Sequence, residues 1–219
     1  MSESRANFGP MIASLPDYSH ESSAIELGGG LVAGADEAGR GPWAGPVVAA
    51  AVILNPDDIP GGLNDSKKLS EARREALFDV IHEKALAVGI AQGSLEAIEK
   101  RNILHASLDA MAEAIGALAP QPDFVLIDGN KAPDLPMRFE TLVKGDGRSL
   151  SIAAASIIAK VTRDRLMRKL DLDFPEYKWA SNKGYGTKAH REALALYGVT
   201  QHHRRGFAPI HKMLIESQI

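Results

Sequence analysis

Two apolar runs flank a turn-rich segment in the first quarter of the chain. Residues 31–36 form a short run and residues 46–54 (PVVAAAVIL) a longer one, with EAGRGPWAG between them. The pattern predicts two strands joined by a glycine-rich connection. After a polar stretch at 55–69, Ser70 is placed to cap a helix reaching about residue 87, with Leu77, Val80, Ile81 and Leu86 on one face. A weak strand follows at 88–94. From about Asn102, the apolar positions Leu104, Leu108, Met111, Ile115 and Leu118 step by four and three, the spacing of an amphipathic helix. Residues 120–122 (PQP) break the chain before a compact buried strand, 124–128 (FVLID), and a further strand is expected at 139–144. The segment from Ser149 to about 170 reads as a long helix. Its first half (SIAAASIIAKV) is small and apolar nearly all round, as in a helix packed tightly on a sheet. Short helices are expected near 188–196 and 209–216. Strands early and helices interspersed and late give an α/β layer structure with a helical C-terminal extension. Residues 1–30 show little periodicity and are expected to be a flexible N-terminal extension to a domain spanning 31–219.

Composition changes this picture mainly by exclusion. The chain has 219 residues, 45% hydrophobic and 24% charged, which are ordinary values for a soluble domain and exclude wholesale disorder. No apolar run approaches membrane-spanning length, and no secretory leader pattern stands at the start. Cysteine is absent, which removes disulfides, thiolate metal sites and cysteine nucleophiles and fits a reducing, cytoplasmic setting. The formal charge of −3 is unevenly spread: residues 1–143 carry −10 and residues 144–219 carry +7. A basic C-terminal third suits a polyanion-binding face, and scattered solvated charge accounts for it equally well.

The chemistry is concentrated at strand ends. Asp36-Glu37 closes the first strand and Asp128 the buried FVLI strand, while Asp146 follows the strand at 139–144. Acids just beyond buried strands stand at the rim of a sheet, where α/β proteins place ligands. Parallel neighbouring strands would bring Asp36 and Asp128 together, and unpaired carboxylates so close need a proton or a cation between them. Mg²⁺ or Mn²⁺ suits an all-oxygen donor set. Asp before Gly is also a common turn signal, which covers Asp128 and Asp146 singly, but three coincident strand ends favour a metal site.

The segment GADEAGRG has P-loop glycine spacing but lacks the Lys-Ser/Thr that must follow, and its two acids would repel a triphosphate. Gly39, Arg40 and Gly41 can still offer backbone N–H groups and a guanidinium to one phosphodiester. Lys67, before a helix start, suits a phosphate contact or a solvated loop. Tyr185, between two glycines in KGYGT, either stacks on a base or sugar or folds back onto the core. His202-His203-Arg204-Arg205 has poor zinc spacing and reads as a basic patch or plain surface.

In order along the chain, GADEAGRGPWAGPVVAAAVIL, LNDSKKLS, VLIDGN, KGDGRSLSIAAASIIAKVTRDR, NKGYGT and HHRRGF resemble ribonuclease HII, the bacterial type 2 ribonuclease H, over about residues 31–210. Trp43 departs from the smaller aliphatic residue usual in that family. The resemblance implies a ribonuclease H-like mixed five-stranded sheet flanked by helices, with residues from about 171 forming a helical substrate-binding part. It implies Asp36, Glu37, Asp128 and Asp146 as catalytic residues holding two divalent ions, Mn²⁺ or Mg²⁺. It further implies that Gly39, Arg40 and Gly41 read the ribonucleotide 2′-OH and its phosphates. Tyr185 would stack on the sugar at the RNA–DNA junction, with Lys67 and Lys183 as supporting phosphate contacts. The expected substrates are RNA–DNA hybrids and DNA duplexes containing ribonucleotides, cut by a protein expected to be monomeric. A DNA nuclease on the same fold is the first rival, and the glycine loop and Tyr185 argue against it. Ribonuclease HIII carries an extra N-terminal domain that weakly patterned residues 1–30 cannot supply. A non-catalytic nucleic-acid clamp would have no use for clustered carboxylates.

Overall fold

The computed structural model describes residues 15–216. A five-stranded sheet runs in the order β3-β2-β1-β4-β5, with β1 at Val32–Ala38, β2 at Val47–Ile53, β3 at Ala87–Gly93, β4 at Phe124–Asp128 and β5 at Arg138–Leu142. β1, β2 and β3 pair antiparallel, whereas β1, β4 and β5 are parallel, so the sheet is mixed as expected. β2 is buried at every position, which is why it reads as an unbroken apolar run rather than an alternation. β5 is an edge strand with Arg138, Phe139 and Glu140 exposed.

Helices cover both faces. They are α1 (Ser19–Ala24), α2 (Glu71–Lys84), α3 (Leu95–Gly116), α4 (Leu150–Asp173), α5 (Trp179–Asn182), α6 (Lys188–Tyr197) and α7 (Ala208–Glu216). α3 packs Ala110, Met111, Ala114 and Ile115 against Ala33, Ala49, Val125 and Ile127 on one face of the sheet. α4 and α2 pack Ala153, Ala154, Ile157, Ile158, Leu77 and Ile81 against Ala50 and Val52 on the other. Alanines let α4 approach until its backbone rests on β1: a Cβ on Gly34 would lie 2.1 Å from the carbonyl carbon of Ser151. The predicted caps are in place, with Ser70 Oγ accepting from Arg73 N at 3.2 Å and Ser149 Oγ from Ile152 N at 3.2 Å. The helix expected from Asn102 begins earlier, at Leu95, but it is interrupted at Asn102, where φ is 61°. Asn102 Oδ1 accepts from Leu104 N and His105 N and restarts the helix, so the sequence signal marks an internal cap.

Residues 1–14 of the expected N-terminal extension lie outside the described residues, and the rest of it departs from expectation. α1 is seated on the domain: Glu21 is fully buried, and its Oε1 accepts from Ser149 Oγ at 2.6 Å and Ser151 N at 2.7 Å. A carboxylate at the start of α4 satisfies free amide donors and meets the positive end of the helix dipole. One buried Glu in a six-residue helix leaves no periodic trace in a sequence.

The C-terminal elements build a separate small core from Tyr177, Trp179, Leu194 and Ile210, closed against Ala44 and Met167. His203 lies inside it at 1% exposure, and burial, with His190 beside it, pushes its pKa from 6.5 down to about 3.

Two outcomes follow for stability. Gly34→Ala destabilises by about 1–3 kcal/mol or more, because α4 must lift from β1 to admit a methyl group; a urea midpoint equal to wild type contradicts this packing. Below pH 6.5 the unfolded chain protonates His203 and the folded chain does not, so this residue's contribution falls as pH drops from 6.5 towards 3. Urea titrations from pH 7 to pH 4 should show a shallower loss of stability in His203→Gln than in wild type.

Candidate functional site: an acidic cleft walled by buried arginines

β1 runs through both of its acids, so Asp36 and Glu37 pair with Ala50 and Ala49 of β2 instead of lying beyond the strand. The parallel register matches Ala35 with Ile127, which puts Asp36 and Asp128 on the next rung, at the same end of adjacent strands. Asp128 Oδ1 accepts from Gly145 N at 2.7 Å and so pins the Gly145–Gly147 turn, which carries the buried Asp146, to the end of β4. The Asp128 carboxylate thus holds a neighbouring turn while its charge acts on Asp36 and Asp146.

Electrostatic strain marks this corner. Burial, then the charges of Glu37, Asp128 and Asp146, raise the Asp36 pKa well above the usual carboxylate range. Burial also raises Glu37, against the opposing pull of Arg40, whose Nη1 lies 3.5 Å from Glu37 Oε1. Asp146 is raised by burial and by Asp128 and Asp65, although Lys67 Nζ stands 3.6 Å from its Oδ2. Burial acts to lower Lys67, but Asp146, Asp36, Asp65 and Asp128 outweigh it and hold the ammonium charged. The donors are all hard oxygens, which fits a divalent cation and relieves mutual repulsion. Among the described residues no three such side chains converge into a finished ligand set, so the acids are neighbours whose rotamers would have to close on an ion.

The glycine loop meets the acids in a cleft of about 310 Å³ lined by Asp36, Glu37, Gly39, Arg40, Gly41 and Tyr185, with Ser66, Lys67, Lys160 and Arg163 also lining it. Gly39 has φ +97°, and a Cβ there would lie 1.9 Å from Arg163 Nε, so only glycine fits. Arg163 is buried on α4 and donates to the carbonyls of Pro46, Ala44 and Lys183 at 2.9–3.1 Å. Arg204 donates to the carbonyls of Gly45, Arg40 and Gly39 at 2.6–2.9 Å. Burial brings these guanidiniums down to about 10 and about 9, both still cationic at neutral pH.

Seven of the ten candidate residues line this cleft, and Asp128 and Asp146 stand close enough to act on Asp36 without lining it. Tyr185 is 47% exposed beside Gly41, which decides against a ring folded into the core. Lys183 does not join the cleft: its ammonium donates to Ala180 O at 2.5 Å and its backbone carbonyl accepts from Arg163. The basic-patch reading of residues 202–205 is corrected, because His203 and Arg204 are each 1% exposed and bonded to interior partners. Much of the +7 of the C-terminal third is likewise committed within the protein. Arg163 and Arg204 are interior, and Arg165 and Arg168 pair with Glu71 and Glu75 of α2. Sequence reasoning missed Lys160, Arg163 and Arg204. The available signal was a charged residue on the buried stripe of α4, where Ala159, Arg163 and Met167 follow at spacings of four.

Comparison with known proteins identifies the family and the fold. The family model described as ribonuclease HII matches residues 33–213. The ribonuclease HII of Ruegeria pomeroyi is 56% identical over 202 residues, covering 92% of this chain and 86% of that protein. Among solved structures, the ribonuclease H2 of Pyrococcus horikoshii superposes with a TM-score of 0.74 at 26% identity, covering 85% of this chain and 98% of that one. A Bst ribonuclease HIII solved with Mn²⁺ superposes at 0.68 and 20% identity, covering 90% and 73%, and shares the fold. The chain belongs to the ribonuclease HII family and is an endoribonuclease of the ribonuclease H type.

Proposed function

We propose that this enzyme hydrolyses the RNA strand of RNA–DNA hybrids and also incises duplex DNA on the 5′ side of a single ribonucleotide, leaving 3′-OH and 5′-phosphate ends. The observation that carries the reading is the shared cleft: Asp36, buried beside Asp128, and Glu37 line it together with a glycine loop and an exposed tyrosine. Asp36, Glu37, Asp128 and Asp146 would hold two divalent ions, Mg²⁺ or Mn²⁺, a role supported by their hard-oxygen chemistry and by the Mn²⁺ bound in the ribonuclease HIII structure. Such ions, when bound, lower the pKa of water and stabilise charge on a leaving oxygen.

The protein's own groups do the selecting. Gly39, Arg40 and Gly41 line the cleft, and in this reading their backbone N–H groups and the Arg40 guanidinium grip one phosphodiester and the 2′-OH beside it, the group that separates RNA from DNA. Lys67 and Lys160 add positive charge along the cleft. The Tyr185 ring stacks on the next sugar, where a 2′-OH would crowd it, so the pair reads a ribose followed by a deoxyribose. Lys183 contributes by tying down its loop, its ammonium bonded to Ala180 O and its carbonyl to Arg163, rather than by a phosphate contact.

Asp128→Asn should abolish cleavage and leave the fold intact, because asparagine keeps the oxygen that accepts from Gly145 N. Turnover at the wild-type rate in saturating Mg²⁺ or Mn²⁺ refutes the assignment. Tyr185→Ala should lower incision at a lone ribonucleotide roughly tenfold to a hundredfold, the worth of a stacking contact of about 1–3 kcal/mol, with a smaller loss on continuous hybrid. Wild-type enzyme that cuts long hybrids and never a lone ribonucleotide would remove the junction reading and leave the acidic site standing.

A further inference from the structure

The two elements that face substrate in this reading come from opposite ends of the sequence, and one dipeptide joins them. Arg204 holds the glycine loop by its carbonyls, with Nη2 to Gly39 O at 2.6 Å and Nη1 to Arg40 O at 2.9 Å. His203, its neighbour, points the other way. Its Nδ1 lies 3.0 Å from Thr200 N, an obligatory donor, so Nδ1 accepts and the ring proton sits on Nε2. That Nε2–H faces His190 Nε2 at 3.0 Å. His190 Nε2 also accepts from the Trp179 indole at 3.2 Å, which leaves the His190 proton on Nδ1, 2.9 Å from the Tyr185 carbonyl. A single direction of donation thus runs from Thr200 through His203 and His190 to the backbone of Tyr185.

The surroundings reinforce this order. His190 and His203 are buried, at 0% and 1% exposure. Trp43 N donates to Gly184 O at 2.8 Å and Arg204 N to Trp43 O at 2.7 Å, so the same backbone stretch is stitched to both neighbours. The Trp43 ring lies against Gly186, 6.0 Å from the His190 ring centre. The residue that departs from the family pattern thus fills the space beside the tyrosine loop.

We infer that His203-Arg204 is a positioning hub, with His190 as its arm, that sets the Tyr185 ring at a fixed offset from the glycine loop and so sets the preference for an RNA–DNA junction. None of the three touches the reacting atoms; Arg204 acts through Gly39 and Arg40, and His203 through His190 and Tyr185. The inference rests on the junction reading of Tyr185.

The test compares incision of a duplex holding one ribonucleotide with cleavage of a continuous RNA–DNA hybrid, as a ratio of kcat/KM. His190→Leu removes the donor to Tyr185 O and should lower this ratio roughly threefold to tenfold, the worth of one net hydrogen bond. His190→Asn offers an amide N–H in place of Nδ1 and should restore it. In a Tyr185→Ala background His190→Leu should have no further effect on the ratio. A His190→Leu enzyme that loses thermal stability while its ratio stays at the wild-type value overturns the hub. If Tyr185→Ala itself leaves the ratio unchanged, the junction reading fails and the hub fails with it. Should His190→Leu not fold, long-range ¹H–¹⁵N spectra of the wild-type protein near pH 7 decide. Protons on His190 Nδ1 and His203 Nε2 support the inference, and either ring in the other tautomer overturns it.

Discussion

Two buried guanidiniums bonded to backbone carbonyls are the interaction on which this active-site corner depends. Arg163 and Arg204 donate to six carbonyls, and five of these, those of Gly39, Arg40, Ala44, Gly45 and Pro46, belong to the turn between β1 and β2. A loop so rich in glycine loses much conformational freedom on ordering. Its carbonyls, turned inward, would be costly if unmet. A planar group with five donors meets several carbonyls at once from one side chain, which lysine could not do.

The acids have the opposite arrangement. They are held close by the sheet register and by the Asp128–Gly145 bond, although their charges resist it. The cluster is tolerable because the surrounding framework is dense: alanine and glycine at the contacts between α4, β1 and β2 bring backbones close enough to resist the repulsion. Lys67 and Arg40 offset part of it from the open side. Repulsion that a cation would relieve is thereby held at the end of a rigid sheet.

Much of the frame was readable from local pattern. The unbroken apolar run of β2, the four-and-three stepping within α3, the caps Ser70 and Ser149, and the acids at the ends of β1 and β4 all follow from side-chain period and turn chemistry. These features are legible because each depends on residues within one or two turns of each other. Exposure of Tyr185 could be narrowed only to two alternatives, because a ring between glycines can swing either way until its neighbours are fixed.

Contacts across long sequence separations were beyond the reach of such patterns. Glu21 bonds to Ser149 and Ser151, about 130 positions on, and Arg204 bonds to Gly39 and Arg40, about 165 positions back. A charged residue in a sequence looks solvated unless its partner is known, so the run at 202–205 resembled surface, and the C-terminal charge resembled one continuous face. By itself the sequence determined the five strands and the longer helices, the acids near the ends of β1 and β4 and the glycine that the loop requires. Only the tertiary structure decided which charges were turned inward to hold backbone carbonyls and which were left to meet a substrate, because that choice depends on desolvation, and desolvation exists only once the chain has folded around the group.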